Sequence, residues 1–167
     1  MIKLFGLLGN LAVILSVVIT WVIYYAQRED AKILQHKQLA VEMLTLGNND
    51  NIVNAKSNVT RFILSHSSQI QDSSATMATG KHIAIPLDNA SRTAFLMMTE
   101  HYDRVIKCRE SRECDASMID LWYREDICDF TEFGQIFIFQ ALAEDFGVTI
   151  GDRLTAYQKS NCPTTNG

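Results

Sequence analysis

The longest apolar stretch of the chain lies near its N-terminus, where no charged residue occurs between Lys3 and Arg28. A helix needs about 20 apolar residues to cross the hydrocarbon core of a bilayer, so this pattern predicts a transmembrane helix within residues 1–27. A cleaved signal peptide has a shorter apolar region that ends in small residues, whereas Tyr24 and Tyr25 lie at this end. We therefore expect a permanent signal anchor.

Two groups of residues within this helix predict its surroundings. Aromatic and basic side chains at membrane boundaries favour the headgroup layer, and the interfacial anchor here comprises Trp21, Tyr24, Tyr25 and Arg28. Small residues on one helical stripe allow a second helix to approach closely, and the stripe here comprises Gly9, Ala12, Ser16 and Thr20, with Asn10 beside it as a side chain able to hydrogen-bond across the contact. This stripe predicts a homo-oligomer or a membrane partner, although small residues are also common in membrane helices.

Beyond the anchor, the apolar positions recur at helical spacing. Neither Gly nor Pro occurs between Arg28 and Leu46, so the membrane helix is expected to continue as a stalk until Gly47 ends it at the C′ position. The following segments predict a helix that is capped by Asp50 or Asn51 and runs to about Ser65, a helix that opens at Pro86 or Asp88 and runs to about Arg112, and helices over 116–127, 129–146 and 150–159. We expect Asp115 to cap the helix at 116. Residues 66–85 are polar and predict a loop, with a possible short strand at 83–85.

These elements predict an all-α protein with an N-terminal transmembrane helix, a helical stalk and a compact bundle of about four to five helices. The expected divisions are an anchor at 1–27, a stalk at 28–48, a helical domain at 49–160 and a flexible tail at 161–167. The helix at 129–146 is apolar on nearly every side, which is typical of a central core helix.

Charge changes this picture in two ways. The chain carries a net charge of −4, and an acidic domain lacks the dense basic face that nucleic acid binding needs. Lysine and arginine are slightly more frequent after the anchor (Arg28, Lys32, Lys37) than before it (Lys3), and this asymmetry favours a cytoplasmic domain. The predicted location is the cell inner membrane, crossed once.

The orientation determines what is expected of the cysteines. Cys108, Cys114, Cys128 and Cys162 form no CxxC pair, which argues against a zinc site. In the cytoplasm they would remain reduced thiols, whereas an extracytoplasmic domain could form two disulfides. We expect free thiols and no metal or cofactor.

Signals for catalysis are weak. Glu125, Asp129 and Glu132 share one helical face, but di-iron bundles use Glu-x-x-His pairs, which the chain lacks. A solvated acidic face is the simpler interpretation. A nucleophilic pair of Cys108 with His101 would require tertiary proximity that the sequence does not establish.

One basic cluster comprises Arg104, Lys107, Arg109 and Arg112. Acidic residues interleave with it, so ion pairs within the domain are the simplest expectation. Anionic lipid headgroups or a partner protein are the alternatives.

The layout resembles a family of uncharacterised small single-pass membrane proteins from bacteria and phages. The similar residues are an acidic-aromatic motif at 100–106, then Arg109, then a turn and helix start at 115–119. The resemblance implies the single-pass topology and a helical cytoplasmic domain, but no activity and no catalytic residues.

The sequence therefore predicts an interaction module, an accessory subunit or a regulator of a membrane-associated complex, acting through a protein partner or as a homo-oligomer. A membrane-tethered enzyme, such as a hydrolase, is one alternative. A component of anti-phage defence or toxin immunity is the other.

Overall fold

The computed structural model of the protein describes residues 2–68, 87–137 and 151–163, with side chains described for 13–68, 87–133 and 151–163. Helices are the regular secondary structure of these ranges, which confirms the all-α prediction. They are α1 (Ile2–Gly47), α2 (Asp50–Ser65), α3 (Asn89–Glu110), α4 (Ala116–Phe137) and α5 (Asp152–Asn161).

The first helix, α1, is continuous over 46 residues, which corresponds to about 69 Å at 1.5 Å per residue. The expectation that the N-terminal apolar segment and the stalk form one unbroken helix is therefore confirmed. In the described part of the chain, no helix combines the length and apolar character needed to cross a membrane.

Side chains cap three of the helices. Asp88 accepts a hydrogen bond from the Ser91 amide at the start of α3 (2.6 Å), and Asp115 accepts hydrogen bonds from the amides of Ser117 and Met118 at the start of α4. The prediction of Asp115 as a cap is confirmed. At α2 the prediction was one or two residues late, because Asn49 accepts the hydrogen bond from the Asn51 amide.

The predicted break between helices at Cys128 is wrong. One helix, α4, runs from Ala116 to Phe137, because neither Gly nor Pro occurs before Gly134 and Asp129 lies on its exposed side rather than at a helix start. The rest of the helix predicted to reach residue 146 lies outside the described residues. So do most of the predicted loop and the possible strand at 83–85.

The described core lies where α2, α3, α4 and α5 meet. An aromatic series joins three of these helices, since the ring centroids of Phe62 and Phe95 are 5.7 Å apart, those of Phe95 and Phe130 are 6.0 Å apart, and those of Phe130 and Tyr102 are 5.2 Å apart. Leu154 of α5 is fully buried. The C-terminal part of α1 packs against this bundle through Ala40, which is also fully buried.

Candidate functional site

The most distinctive surface of the protein is an apolar belt around α1 at residues 13–25. Each large apolar side chain in this segment is exposed, with relative exposures between 45% and 63%. The described domain therefore covers no side of α1 along the belt. Contiguous exposed apolar surface of this kind is typical of segments that contact lipid or another protein.

The predicted interfacial residues lie at the C-terminal end of the apolar belt. The rings of Trp21 and Tyr25 pack at a centroid distance of 4.5 Å, and those of Tyr24 and Tyr25 contact edge to face at 6.2 Å. Arg28 follows on the next turn and is exposed. The four predicted residues thus form one short aromatic and basic section of α1.

The predicted small-residue stripe falls partly within the described side chains. Ser16 donates its hydroxyl to the Val13 carbonyl at 2.9 Å, and Thr20 donates to the Ser16 carbonyl at 2.8 Å. Because both hydroxyl protons are used within α1, the described part of this stripe presents small side chains rather than free donors. The side chains of Gly9, Asn10 and Ala12 lie outside the described residues.

Two long-range hydrogen bonds fix α1 to the domain. The Asp115 amide, in the turn between α3 and α4, donates to the His36 carbonyl at 3.1 Å. The Tyr123 hydroxyl donates to the Met43 carbonyl at 2.7 Å. With Ala40 buried between these two points, the last three turns of α1 pack against the bundle.

Because Gly47 has no side chain, the side chains of Tyr123 and His101 can lie close to the backbone of α1. A Cβ atom there would lie 2.5 Å from the Tyr123 hydroxyl and 3.1 Å from His101 Nε2. Gly47 is the last residue of α1 and is not among the described residues with positive φ. The prediction that the helix ends at Gly47 is confirmed, but its placement at C′ is wrong, because Gly47 is the last helical residue and the position requires the absence of a side chain rather than an unusual backbone conformation.

His101 is buried against this junction. Its Nε2 atom has no hydrogen-bond partner among the described residues, and its ring contacts that of Tyr123 at a centroid distance of 5.6 Å. Burial, with a smaller contribution from the positive charge of Arg104, lowers the pKa of His101 below 6.5. Burial therefore favours the neutral form of the imidazole.

The cysteines form two disulfides, so the prediction of free thiols is wrong. Cys108 pairs with Cys114 across the turn between α3 and α4, with a Cα–Cα distance of 5.3 Å. Cys128 of α4 pairs with Cys162 just beyond α5, with a Cα–Cα distance of 5.7 Å. The prediction failed because it was inferred from the expected cytoplasmic orientation and not from the positions of the cysteines, which the fold brings together in two pairs.

The predicted basic cluster is divided among several environments. Arg109 forms a two-pronged ion pair with Asp120, while Arg104 pairs with Glu100 on the same helix. Lys107 is exposed, and Arg112 lies in the turn after α3 with φ of 59°. Two of the four cations are therefore neutralised by pairing within the domain.

The Arg109 ion pair belongs to a larger network that joins three helices. Tyr157 of α5 donates its hydroxyl to Asp120 at 2.9 Å, and the Arg109 guanidinium lies 5.4 Å from the centre of the Tyr157 ring. Arg109 also donates to the Asn161 side chain. The hydrogen bonds that Arg109 donates to Asp120, together with nearby negative charges, raise the pKa of Arg109. The charge of Arg109 is therefore used within the domain, where it joins α3 to α4.

The residues considered for catalysis do not assemble into a reactive site. Cys108 has no thiolate for nucleophilic attack because its sulfur is bonded to Cys114. Glu125, Asp129 and Glu132 are exposed, and the described residues contain no group of three potential ligands that could hold a metal ion. The arrangement therefore offers packing and interaction surfaces rather than an assembled nucleophile and base.

The sequence patterns did not identify Tyr123 and Asp120 as residues that join the helices. Their partners are main-chain atoms or residues on other helices, so the helical spacing of the sequence contains no signal for them.

Comparisons with protein-family models, with curated proteins and with solved structures found no match. The resemblance at residues 100–106 and 115–119 stays a prediction.

Proposed function

We propose that the protein is a membrane-anchored helical module that works by binding another protein. The observation that carries this proposal is the uninterrupted helix α1. Residues 13–25 of α1 form an apolar belt that is exposed on all sides. The C-terminal end of α1 is joined to a domain that contains two disulfides.

The case for an anchor combines the apolar belt with the sequence before it. The belt begins at Val13, where the described side chains begin, but the uncharged run extends back to Leu4. The whole uncharged run between Lys3 and Arg28, which includes the belt, comprises 24 residues, and this length is enough for a transmembrane helix. The aromatic side chains at the C-terminal end are those expected in the headgroup layer.

The cysteine pairing bears on the orientation. The count of lysine and arginine favours a cytoplasmic domain by a small margin, whereas two disulfides are typical of oxidising compartments. We propose the second orientation, with the domain outside the cytoplasm, because disulfides rarely persist among cytosolic reductants.

Anchoring can be tested by charging the apolar belt. We expect the full-length protein to remain in membranes after alkaline carbonate washing, and the double variant Ile14→Arg with Val18→Arg to be released. The control, Ile33→Arg with Leu34→Arg, places the same charges on equally exposed side chains beyond the belt and should remain in the membrane. Release of the wild-type protein would contradict the anchor.

The orientation can be tested by counting thiols. If cells are lysed in acid and the protein is alkylated before any reduction, the proposed orientation predicts no modified cysteine. After reduction, four alkyl groups should be added. Four groups added before reduction would instead support the cytoplasmic orientation.

A further inference from the structure

Beyond the apolar belt, α1 has an uncharged face that no described part of the domain covers. The positions are spaced alternately by three and four residues, and each is exposed. They are Ala31, Leu34, Gln38, Val41 and Thr45, and we call them the α1 seam.

The α1 seam lies on the side of the helix that faces away from the domain. At 3.6 residues per turn, it is opposite the stripe that includes Ala40 and Met43, through which α1 contacts the bundle. Leu34 and Val41 expose 58% and 47% of their surface. The seam is therefore accessible to another helix without any rearrangement of the domain.

The spacing of the α1 seam is that of the a and d positions of a coiled coil. In that frame Ala31, Gln38 and Thr45 occupy a positions, while Leu34 and Val41 occupy d positions. A polar residue at an a position, such as Gln38, fixes the alignment of paired helices at some cost in stability. Thr20 and Gln27 precede Leu34 at intervals of seven residues, so the same face continues toward the apolar belt.

The charges beside the α1 seam are complementary to a second copy. In this frame Lys37 is a g position and Glu42 is the e position five residues later, which is the spacing of interhelical ion pairs in parallel coiled coils. Both side chains are exposed, and neither forms a salt bridge with another described residue. Two identical chains would thus form two Lys37–Glu42 pairs, one on each side.

We propose that two copies of this chain pair in parallel along the α1 seam. The proposal rests on the proposed function for the orientation, because two anchors inserted in the same direction hold their stalks parallel. It also specifies that function, because it identifies the bound protein as a second copy of this chain. Preorganisation favours pairing along so short a seam. Because α1 is already helical and its C-terminal end packs against the domain, pairing carries little entropic cost of forming the helix.

The test measures the molecular mass of the full-length protein in mild detergent by light scattering, over a range of protein concentrations. We expect a dimer for the wild type. Lys37→Glu and Glu42→Lys should each weaken the dimer about tenfold, since two attractive pairs become repulsive. The double variant that exchanges both charges should restore the wild-type affinity.

A matched pair of variants tests the α1 seam itself. Leu34→Glu should give a monomer, whereas Ile33→Glu alters a neighbouring and similarly exposed side chain outside the seam and should remain a dimer. Circular dichroism verifies that each variant is folded. A monomeric wild type, a larger oligomer, equal effects of the two variants, or failure of the charge exchange to restore pairing would each overturn the proposal. A monomer that resists carbonate extraction contradicts pairing alone, while a dimer released by it contradicts anchoring alone.

Discussion

The hydroxyl of Tyr123 donates a hydrogen bond of 2.7 Å to the main-chain oxygen of Met43, and this bond joins α4 to the last turns of α1. The same hydroxyl lies where a side chain at position 47 would have to be. The attachment of the long helix to the domain thus depends on a tyrosine and a glycine acting together.

Gly47→Ala should destabilise the domain by about 1–3 kcal/mol, since the new methyl group would displace Tyr123 or α1. Chemical denaturation followed by circular dichroism measures the effect. In a Tyr123→Phe background the obstructing hydroxyl oxygen is absent, so Gly47→Ala should lower the free energy of unfolding by a smaller amount. Equal costs in both backgrounds would show that the close contact is not the cause.

Asp120→Ala should destabilise the protein by about 2–3 kcal/mol, because it leaves the partly buried Arg109 and the Tyr157 hydroxyl without their acceptor. Tyr157→Phe removes only one hydrogen bond and should cost about 1 kcal/mol. Lys107→Ala serves as the control, since its side chain is exposed and should alter the unfolding free energy little. An Asp120→Ala variant as stable as this control would contradict a structural role for the network.

The stability of the domain should fall as the pH decreases below about 6.5. The folded state lowers the pKa of His101 through burial and the Arg104 charge, so the unfolded chain binds the proton first. The loss begins near the unfolded pKa, ends below the folded pKa, and has a slope of at most about 1.4 kcal/mol per pH unit. Denaturation midpoints between pH 5 and pH 8 measure it. His101→Gln should flatten the profile, and a profile identical to that of the wild type would exclude His101 as the source.

The two disulfides should contribute unequally to stability. Loss of the Cys128–Cys162 bond, which spans 34 residues, should cost about 4 kcal/mol by loop-closure entropy. Loss of the Cys108–Cys114 bond, which spans six residues, should cost about 2 kcal/mol. Paired serine variants, compared by denaturation under non-reducing conditions, test this order. The reverse order would show that chain entropy is not the dominant contribution.

Arg112→Gly should stabilise the protein by about 0.5–1 kcal/mol. Arg112 has φ of 59°, a conformation that glycine adopts without the steric cost paid by other residues. Thermal unfolding measures the gain, and Ser111→Gly is the control because its φ is negative. A loss of stability at position 112 would indicate that the arginine side chain makes a compensating contribution.

The sequence alone determined the helical class, the continuity of α1 and the cap at Asp115. These features are local, because helix propensity, glycine and proline placement and capping depend on residues a few positions apart. The wrong prediction of a break at Cys128 also came from a local pattern. Asp129 fits the pattern of a new helix start, but no residue there interrupts α4.

Only the tertiary structure decided the pairing of Cys128 with Cys162, the division of the basic cluster and the reason for a glycine at position 47. Cys162, the Asp120 partner of Arg109 and the Tyr123 hydroxyl beside Gly47 are each distant in sequence from the residue they contact, so helical spacing does not predict these contacts. The same reason explains why the α1 seam became distinguishable only in the structure. Packing through Ala40 determines which side of α1 the domain covers, and this in turn defines the side that remains open.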